Sequence, residues 1–430
     1  MSSEWLETTL GEICNTQGGS IQTGPFGSQL HTSDYKESGI PVVMPTNIGD
    51  GGIVEDGIAR IDQIDVDRLS QHKLNLGDIV FSRRGDVTKN ALINSREIGW
   101  FCGTGCLKVR LGDESIASAK FISHCLRQPD IKDWLVRHAV GATMPNLNTG
   151  ILSAVPIYLP PLKIQLEIAS MLGALDDRIA LLRETNATLE AIAQAMFKSW
   201  FVDFDPVHAK ARHSREGGKP ENQKLPEGMN EATAALFPDS FEESELGLVP
   251  KGWKVERLDT FMELSYGKSL KASERIFGEV PVYGSGGVTG CHNKSLVDGP
   301  SIVIGRKGTV GSLYWEDQPF FPIDTVFYVK SEVPMTYCFY LLQTMGLADM
   351  NTDAAVPGLN RNNVYRLKVA KPPESVLLAF SDVANVLRDS IFKNNTQAQT
   401  LASLRDTLLP RLISGQLRLP ESAGSAQGGD

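Results

Sequence analysis

The sequence predicts a mixed α/β (α+β) chain. Two repeated αβ domains are each followed by a long helix, and the helices pack as an antiparallel coiled coil with pseudo-twofold symmetry. Three observations predict this. Blocks of sequence recur in the same order in both halves, heptad-spaced apolar residues follow each half, and a polar stretch separates the halves. Ordered self-similarity is the signature of duplication.

The repeat opens with WLETTLGEI at Trp5–Ile13 and WKVERLDTF at Trp253–Phe261, where Trp precedes Leu by five positions each time. DIVFSRRGDVT at Asp78–Thr88 then matches SIVIGRKGTVG at Ser301–Gly311: an apolar β-branched run, two basic residues and a glycine. Last, MPNLNTGILSAVPIYLPP at Met144–Pro161 matches VPGLNRNNVYRLKVAKPP at Val356–Pro373 at a constant offset of 212. These blocks place the first domain at residues 1–160 and the second at 253–373.

Behind each Pro-Pro pair the period changes from strand-like to helical, predicting helices over 161–200 and 374–415. In the first, Leu172, Leu175, Ile179, Leu182, Asn186, Leu189, Ala193, Met196 and Trp200 alternate three and four apart. The second carries Phe380, Ala384, Leu387, Ile391, Asn394, Ala398, Leu401 and Leu408. This is a heptad seam. Pro161 and Pro373 suit a first helical turn, Pro410 is expected to end or kink the second helix, and Gly415 to stop it. Placing Asn186 opposite Asn394 as a register-fixing pair sets Leu182 against Ala398, Ile179 against Leu401, Leu189 against Ile391, Ala193 against Leu387, Met196 against Ala384, Trp200 against Phe380 and Leu172 against Leu408. The one poor pair is Leu175 with Arg405. Residues 201–252 read as an extended connector with one short helix at 231–237, and 416–430 as a disordered tail.

Composition excludes several classes. The chain of 430 residues is 41% hydrophobic and 22% charged, too apolar for global disorder. No apolar run is long enough to cross a membrane and the N-terminus lacks a signal layout, which points to the cytoplasm. Cys14, Cys102, Cys106, Cys125, Cys291 and Cys338 show no C-x-x-C spacing, so neither a zinc ribbon nor a disulfide framework is expected. The net charge of −9 is concentrated in the connector, where 201–250 holds 5 basic and 10 acidic residues, whereas 251–373 holds 14 and 12. Local basic faces therefore remain open to nucleic acid. No P-loop, dinucleotide fingerprint, H-E-x-x-H or G-x-S-x-G motif occurs, so no catalytic residue and no metal site is assigned.

Each domain carries a polar, glycine-rich loop set: Gln17–Lys36 in the first, Ser265–Arg275 and Tyr283–Lys294 in the second. Glycine permits close backbone approach, and Lys, Gln, Asn, Ser and Thr supply phosphate and base-edge contacts. Helices of at most 39 residues would span about 58 Å, more than one turn of a duplex with a phosphate every ~1.7 Å.

With TGPFGSQL (Thr23–Leu30), DIVFSRRG (Asp78–Gly85), SWFVDFDP (Ser199–Pro206), ELGLVPKGW (Glu245–Trp253) and YGSGGVTG (Tyr283–Gly290), the ordered blocks resemble the specificity subunit of a type I restriction–modification system across almost the whole chain. One departure is that no VPKGW-like lead-in precedes Trp5. The resemblance implies two target-recognition domains, each reading half of a gapped double-stranded DNA site. It implies two modification subunits, docked mainly on the helices, that bind S-adenosylmethionine and methylate adenine. ATP- and Mg-dependent restriction subunits can join them. This chain itself is then a non-catalytic reader without a cofactor.

Arg83-Arg84 and Arg306-Lys307 occupy equivalent places, so they are expected to contact phosphate or to build the turn and not to separate two half-sites. Base selectivity is expected from the loops that differ: Gln22, Ser28, Gln29 and His31 in the first domain, Lys268, Lys271, Arg275 and His292 in the second. Phe197, Trp200, Phe201 and Phe204 form an aromatic cluster suited either to a partner interface or to a local core. Two rivals from other classes are a nuclease with its site between the repeats, for which Asp324 is the residue to test, and a coiled-coil scaffold joining two protein-binding domains.

Overall fold

The computed structural model describes residues 5–49, 52–141, 143–215, 229–351 and 358–419. Its contacts divide the chain into two units, Met1–Leu182 with Gln397–Asp430, and Arg183–Thr396, so each long helix contributes to both.

The first unit is closed by an antiparallel pair, Leu6–Thr9 with Pro156–Leu159, that brings its ends together. Thr9 caps the helix Leu10–Thr16 reciprocally with Glu12, which satisfies two otherwise orphaned N–H groups. An antiparallel four-stranded sheet follows the order Gly18–Thr23, Cys106–Gly112, Ile79–Ser82, Asn90–Leu92. A second sheet runs Tyr35–Lys36, Ala59–Ile61, Ile40–Val43, Phe101–Cys102, its last pair parallel. Leu10, Ile13, Phe81, Val109, Phe121 and Ile122 form the core with Ile168 and Leu172 of the first long helix and Leu409 and Leu412 of the second.

The second unit repeats this plan. Lys254–Arg257 pairs with Lys368–Lys371 at its ends. The four-stranded sheet runs Met262–Tyr266, Val326–Ser331, Ser301–Gly305, Leu313–Glu316, and the smaller sheet places Val280–Gly284 between Gly287–His292 and a parallel Phe321–Pro322. Val42 pairs with Phe101 in one unit and Val282 with Phe321 in the other.

The long helices are Leu162–Phe201 and Glu374–Ile413, 40 residues each and offset by 212 at both ends. They run antiparallel. In the first unit Ile179 and Leu182 pack with Ala398 and Leu401, and in the second Trp200 and Phe380 rings lie 5.9 Å apart. Asn394 Nδ2 donates to Asn186 Oδ1 at 2.9 Å, while Asn186 Nδ2 donates to Asn395 Oδ1 at 2.8 Å. Arg405 turns from the apolar seam to Asp176, 2.7 Å away.

Three features differ from the sequence reading. Pro410 does not stop the second helix, which continues to Ile413 because Leu409, Leu412 and Ile413 are buried in the first unit's core and hold its last turn. Gly415, at φ +72°, lies just beyond. The connector holds a helix at Asp205–Arg215 and a hairpin of Phe241–Ser244 with Gly247–Pro250, besides the short helix Glu231–Ala235. Val207, Phe237 and Val249 are buried, so these pieces are packed elements. In the tail, Leu417 and Leu419 pack on the first unit's core. Residues 216–228 and 420–430 lie outside the described residues, and with them the middle of the connector and the end of the tail.

Candidate nucleic-acid interface

The two basic turns are held alike. Arg83 N–H donates to Gly105 O, and Leu147 N–H donates to Arg83 O at 2.9 Å. In the second unit Arg306 N–H donates to Thr325 O, and Leu359 N–H donates to Arg306 O at 2.8 Å. Bridges between Arg84 and Asn146 and between Lys307 and Gly358 complete the match. Each turn is thus strapped by main-chain bonds to the residue before a sheet strand, Gly105 or Thr325, and to the segment before a short helix, Thr149–Ser153 or Arg361–Tyr365. Gly85 and Gly308, at φ +77° and +86°, supply the left-handed residue that the corner requires.

The side chains diverge. Arg83 is half-buried, with Nε donating to Asn146 Oδ1 at 3.3 Å and its guanidinium 6.0 Å from the exposed Phe26 ring. Position 358 is glycine, so Arg306 instead donates to Asp324 O at 2.9 Å and lies 5.1 Å from the Tyr266 ring. Arg361 approaches the same ring at 4.9 Å and donates to Leu264 O. Among the described residues, neither Arg306 nor Arg361 is paired with a carboxylate. Two cations without a carboxylate partner among the described residues, around one half-exposed tyrosine, make a surface suited to a phosphodiester and a base face. Arg84 and Lys307 are exposed.

In the loops, Ser28, His31, Lys268 and Lys271 are exposed. Main-chain N–H groups of His31 and Lys271 donate to Asp34 and Glu274, each three residues on, so the two loops turn alike while displaying different side chains. Gln29 uses Oε1 to accept from Phe26 N–H, making it a turn brace. Gln22 Oε1 is buried, in a strand position opposite Lys108. Arg275 clamps Thr289 through its carbonyl and hydroxyl oxygens.

Two assignments need correction. His292 is 7% exposed, with Nδ1 accepting from Ile276 N–H and its ring edge-on to Phe321, so it supports the loop from inside and does not face a ligand. The cluster of Phe197, Trp200, Phe201 and Phe204 is not a partner surface. It packs against Phe237, Trp253, Tyr337 and Phe380 in the second unit's core. Conversely, Phe26, Asn146, Tyr266 and Arg361 escaped the sequence reading. An arginine without an acidic neighbour in sequence, one position after the repeated Leu-Asn, was the available signal for Arg361.

The model of the type I restriction modification DNA specificity domain matches residues 2–191 and 250–375, both repeats and most of the chain. The chain belongs to this family. Among similar members, the type I restriction enzyme HindI specificity subunit of Haemophilus influenzae is 25% identical over 96% of this chain and 100% of its own. The MjaIX specificity subunit of Methanocaldococcus jannaschii is 23% identical over 70% of each. The crystal structure of the type I restriction–modification S subunit from M. genitalium shares the fold, with a TM-score of 0.55 and 18% identity over 96% of this chain and 97% of that one. Family membership makes DNA specificity the context of the two strapped basic turns. Among the described residues no helix is long and apolar enough to cross a membrane.

Proposed function

We propose that this family member reads a bipartite, gapped site in double-stranded DNA, one half with each unit. It directs adenine methylation by two modification subunits that carry S-adenosylmethionine, and restriction by ATP- and Mg-dependent subunits where those are present. It works in the cytoplasm and performs neither reaction itself. A single observation carries the reading: the same basic turn is strapped by equivalent main-chain bonds in both units, yet is bordered by loops and side chains that differ. Common turns engage the common element, phosphate, and unlike loops discriminate bases. Apolar residues exposed along the long helices, Ile192, Val383, Val386 and Leu404, offer the modification subunits a surface.

Ser28, His31, Lys268 and Lys271 are the base-reading residues of this proposal. Gln29 and Arg275 shape their loops, Gln22 lies in a strand beside them, and Arg83, Arg84, Arg306, Lys307 and Arg361 bind the backbone. The test combines two measurements. Mapping methylated adenine genome-wide with and without the chain returns both half-sites and their separation. In the assembled complex, Arg361→Ala is expected to weaken binding to every sequence and to reduce the salt slope by about one. Lys268→Ala is expected to cost about 1–3 kcal/mol of discrimination at one half-site if it reads a base. A contiguous, ungapped methylation site sinks the bipartite reading.

A further inference from the structure

Adding 212 to any position of Leu162–Phe201 gives its counterpart in Glu374–Ile413, yet the contacts made by counterparts are not alike. In the first unit Asp176 bridges Arg405 of the second helix and Arg127 of the domain, both at 2.7 Å. In the second unit the counterpart of Asp176 is Arg388, which bridges Glu190 at 2.9 Å. The charge at this repeat position is therefore inverted between the halves, and each partner is inverted with it. These are largely desolvated groups. Arg388 and Arg405 side chains are 11% and 10% exposed, Arg388 lies 4.9 Å from the Trp315 ring, and Tyr340 donates to Glu190.

Consider a repeat pairing with the same repeat of a second copy of this chain. Each seam position then meets its own helix's counterpart. Two first helices would set Glu190, which now faces Arg388, against Asp176. Two second helices would set Arg405, which now faces Asp176, against Arg388. The asparagine layer fails as well. Asn186 would meet Leu182, the counterpart of Asn394, and Asn394 would meet Ala398, the counterpart of Asn186. Like charges in a largely desolvated seam, together with loss of the Asn186–Asn394 bond, are costly mismatches for such an interface.

We propose that these three layers are a pairing code that admits only unlike repeats and excludes the same repeat of a second chain. The code fixes one first and one second domain per seam, which keeps a bipartite reader from becoming a reader of two identical halves. It stands on the helix contacts alone, independent of how DNA is read.

The full-length chain can imitate each forbidden seam. Arg388→Asp sets Asp opposite Glu190, whereas Arg388→Ala only removes the attraction. Asp176→Arg and Asp176→Ala do the same opposite Arg405. Each charge-reversed variant is expected to melt at least about 3 °C below its alanine variant. The double variant Glu190→Arg/Arg388→Asp is expected to melt above Arg388→Asp, and this rescue decides the matter should the single variant fail to fold. Two differently tagged wild-type copies expressed together are expected not to co-purify through the seam. Charge-reversed and alanine variants that melt together, a double variant no better than Arg388→Asp, or a wild-type dimer dissolved by Arg388→Ala would each overturn the code.

Discussion

The two units share a frame and fill it differently. Against the first long helix the first unit gathers the charged Arg127, Asp176 and Arg405 around a buried, neutral His124. It also buries Lys108, whose Nζ is held by the carbonyls of Gln71 and Lys73, and His72. The second unit keeps one such pair, Arg388 with Glu190, and otherwise buries rings, with Phe197, Trp200, Trp253, Tyr337 and Phe380 in one cluster. Trp200 and Phe197 are the counterparts of Leu412 and Leu409, which fill the first unit's core. Strand register and main-chain straps define the frame, and the filling has drifted towards charge in one copy and aromatics in the other. The lesson is that duplicated domains can keep a backbone and exchange the physics that stabilises it.

The sharpest way to break this comparison is to empty the aromatic core. Trp200→Ala is expected to cost about 3–5 kcal/mol, against about 2–5 for Leu412→Ala. Hydrogen exchange followed by mass spectrometry, read separately over each unit, should place the loss in the second unit for Trp200 and in the first for Leu412. Equal loss in both units from either substitution would show that the cores are not separate.

Next in size is acid. Burial, then the neighbouring Arg127, pushes His124 down to about 3, although Asp176 opposes the shift. Burial, with Lys108 behind it, also lowers His72. A histidine held neutral in the fold but free to protonate when unfolded contributes stability above its unfolded pKa, near 6.5. That stability is lost as pH falls towards the folded value. Asp176 resists in the other direction. Burial raises it, but Arg127 and Arg405 together outweigh that and hold it below the ordinary carboxylate range, so its loss belongs to still lower pH. Between pH 6.5 and 4.5 the first unit is expected to lose at most about 1.4 kcal/mol per pH unit through His124, with His72 acting in the same direction. His124→Gln should flatten the slope. A second unit that softens first on acidification would contradict the assignment.

The smallest expected effect is at the asparagine layer. Asn186→Ala removes the bond to Asn394 and should cost about 1 kcal/mol, seen as a small drop in the melting of the second unit.

Much of this frame was legible because it is written twice. The constant offset of 212 links the Pro-Pro pairs to both helix starts, and the asparagine gap in each heptad seam shows where the two rods can align. The connector was not legible, since DPVHAKARHSR has little apolar periodicity to announce its helix and FEES no clean alternation to announce its strand. The aromatic cluster was ambiguous from its own sequence. Comparing Trp200 with Leu412 and Phe197 with Leu409 would have marked these as positions that stay apolar in both copies, hence interior. Tyr266 and Arg361 were hidden for another reason: they meet only through a fold that brings residues nearly a hundred positions apart onto one ring.

The straps on the basic turns have a consequence for how such a chain can change. They run through peptide groups and not through the residues they display, so exchanging Arg84 or Lys307 alters what is shown to a ligand without moving the place where it is shown. A lineage can therefore retune how firmly each turn holds its ligand one side chain at a time, on a mount that stays still and independently in each half.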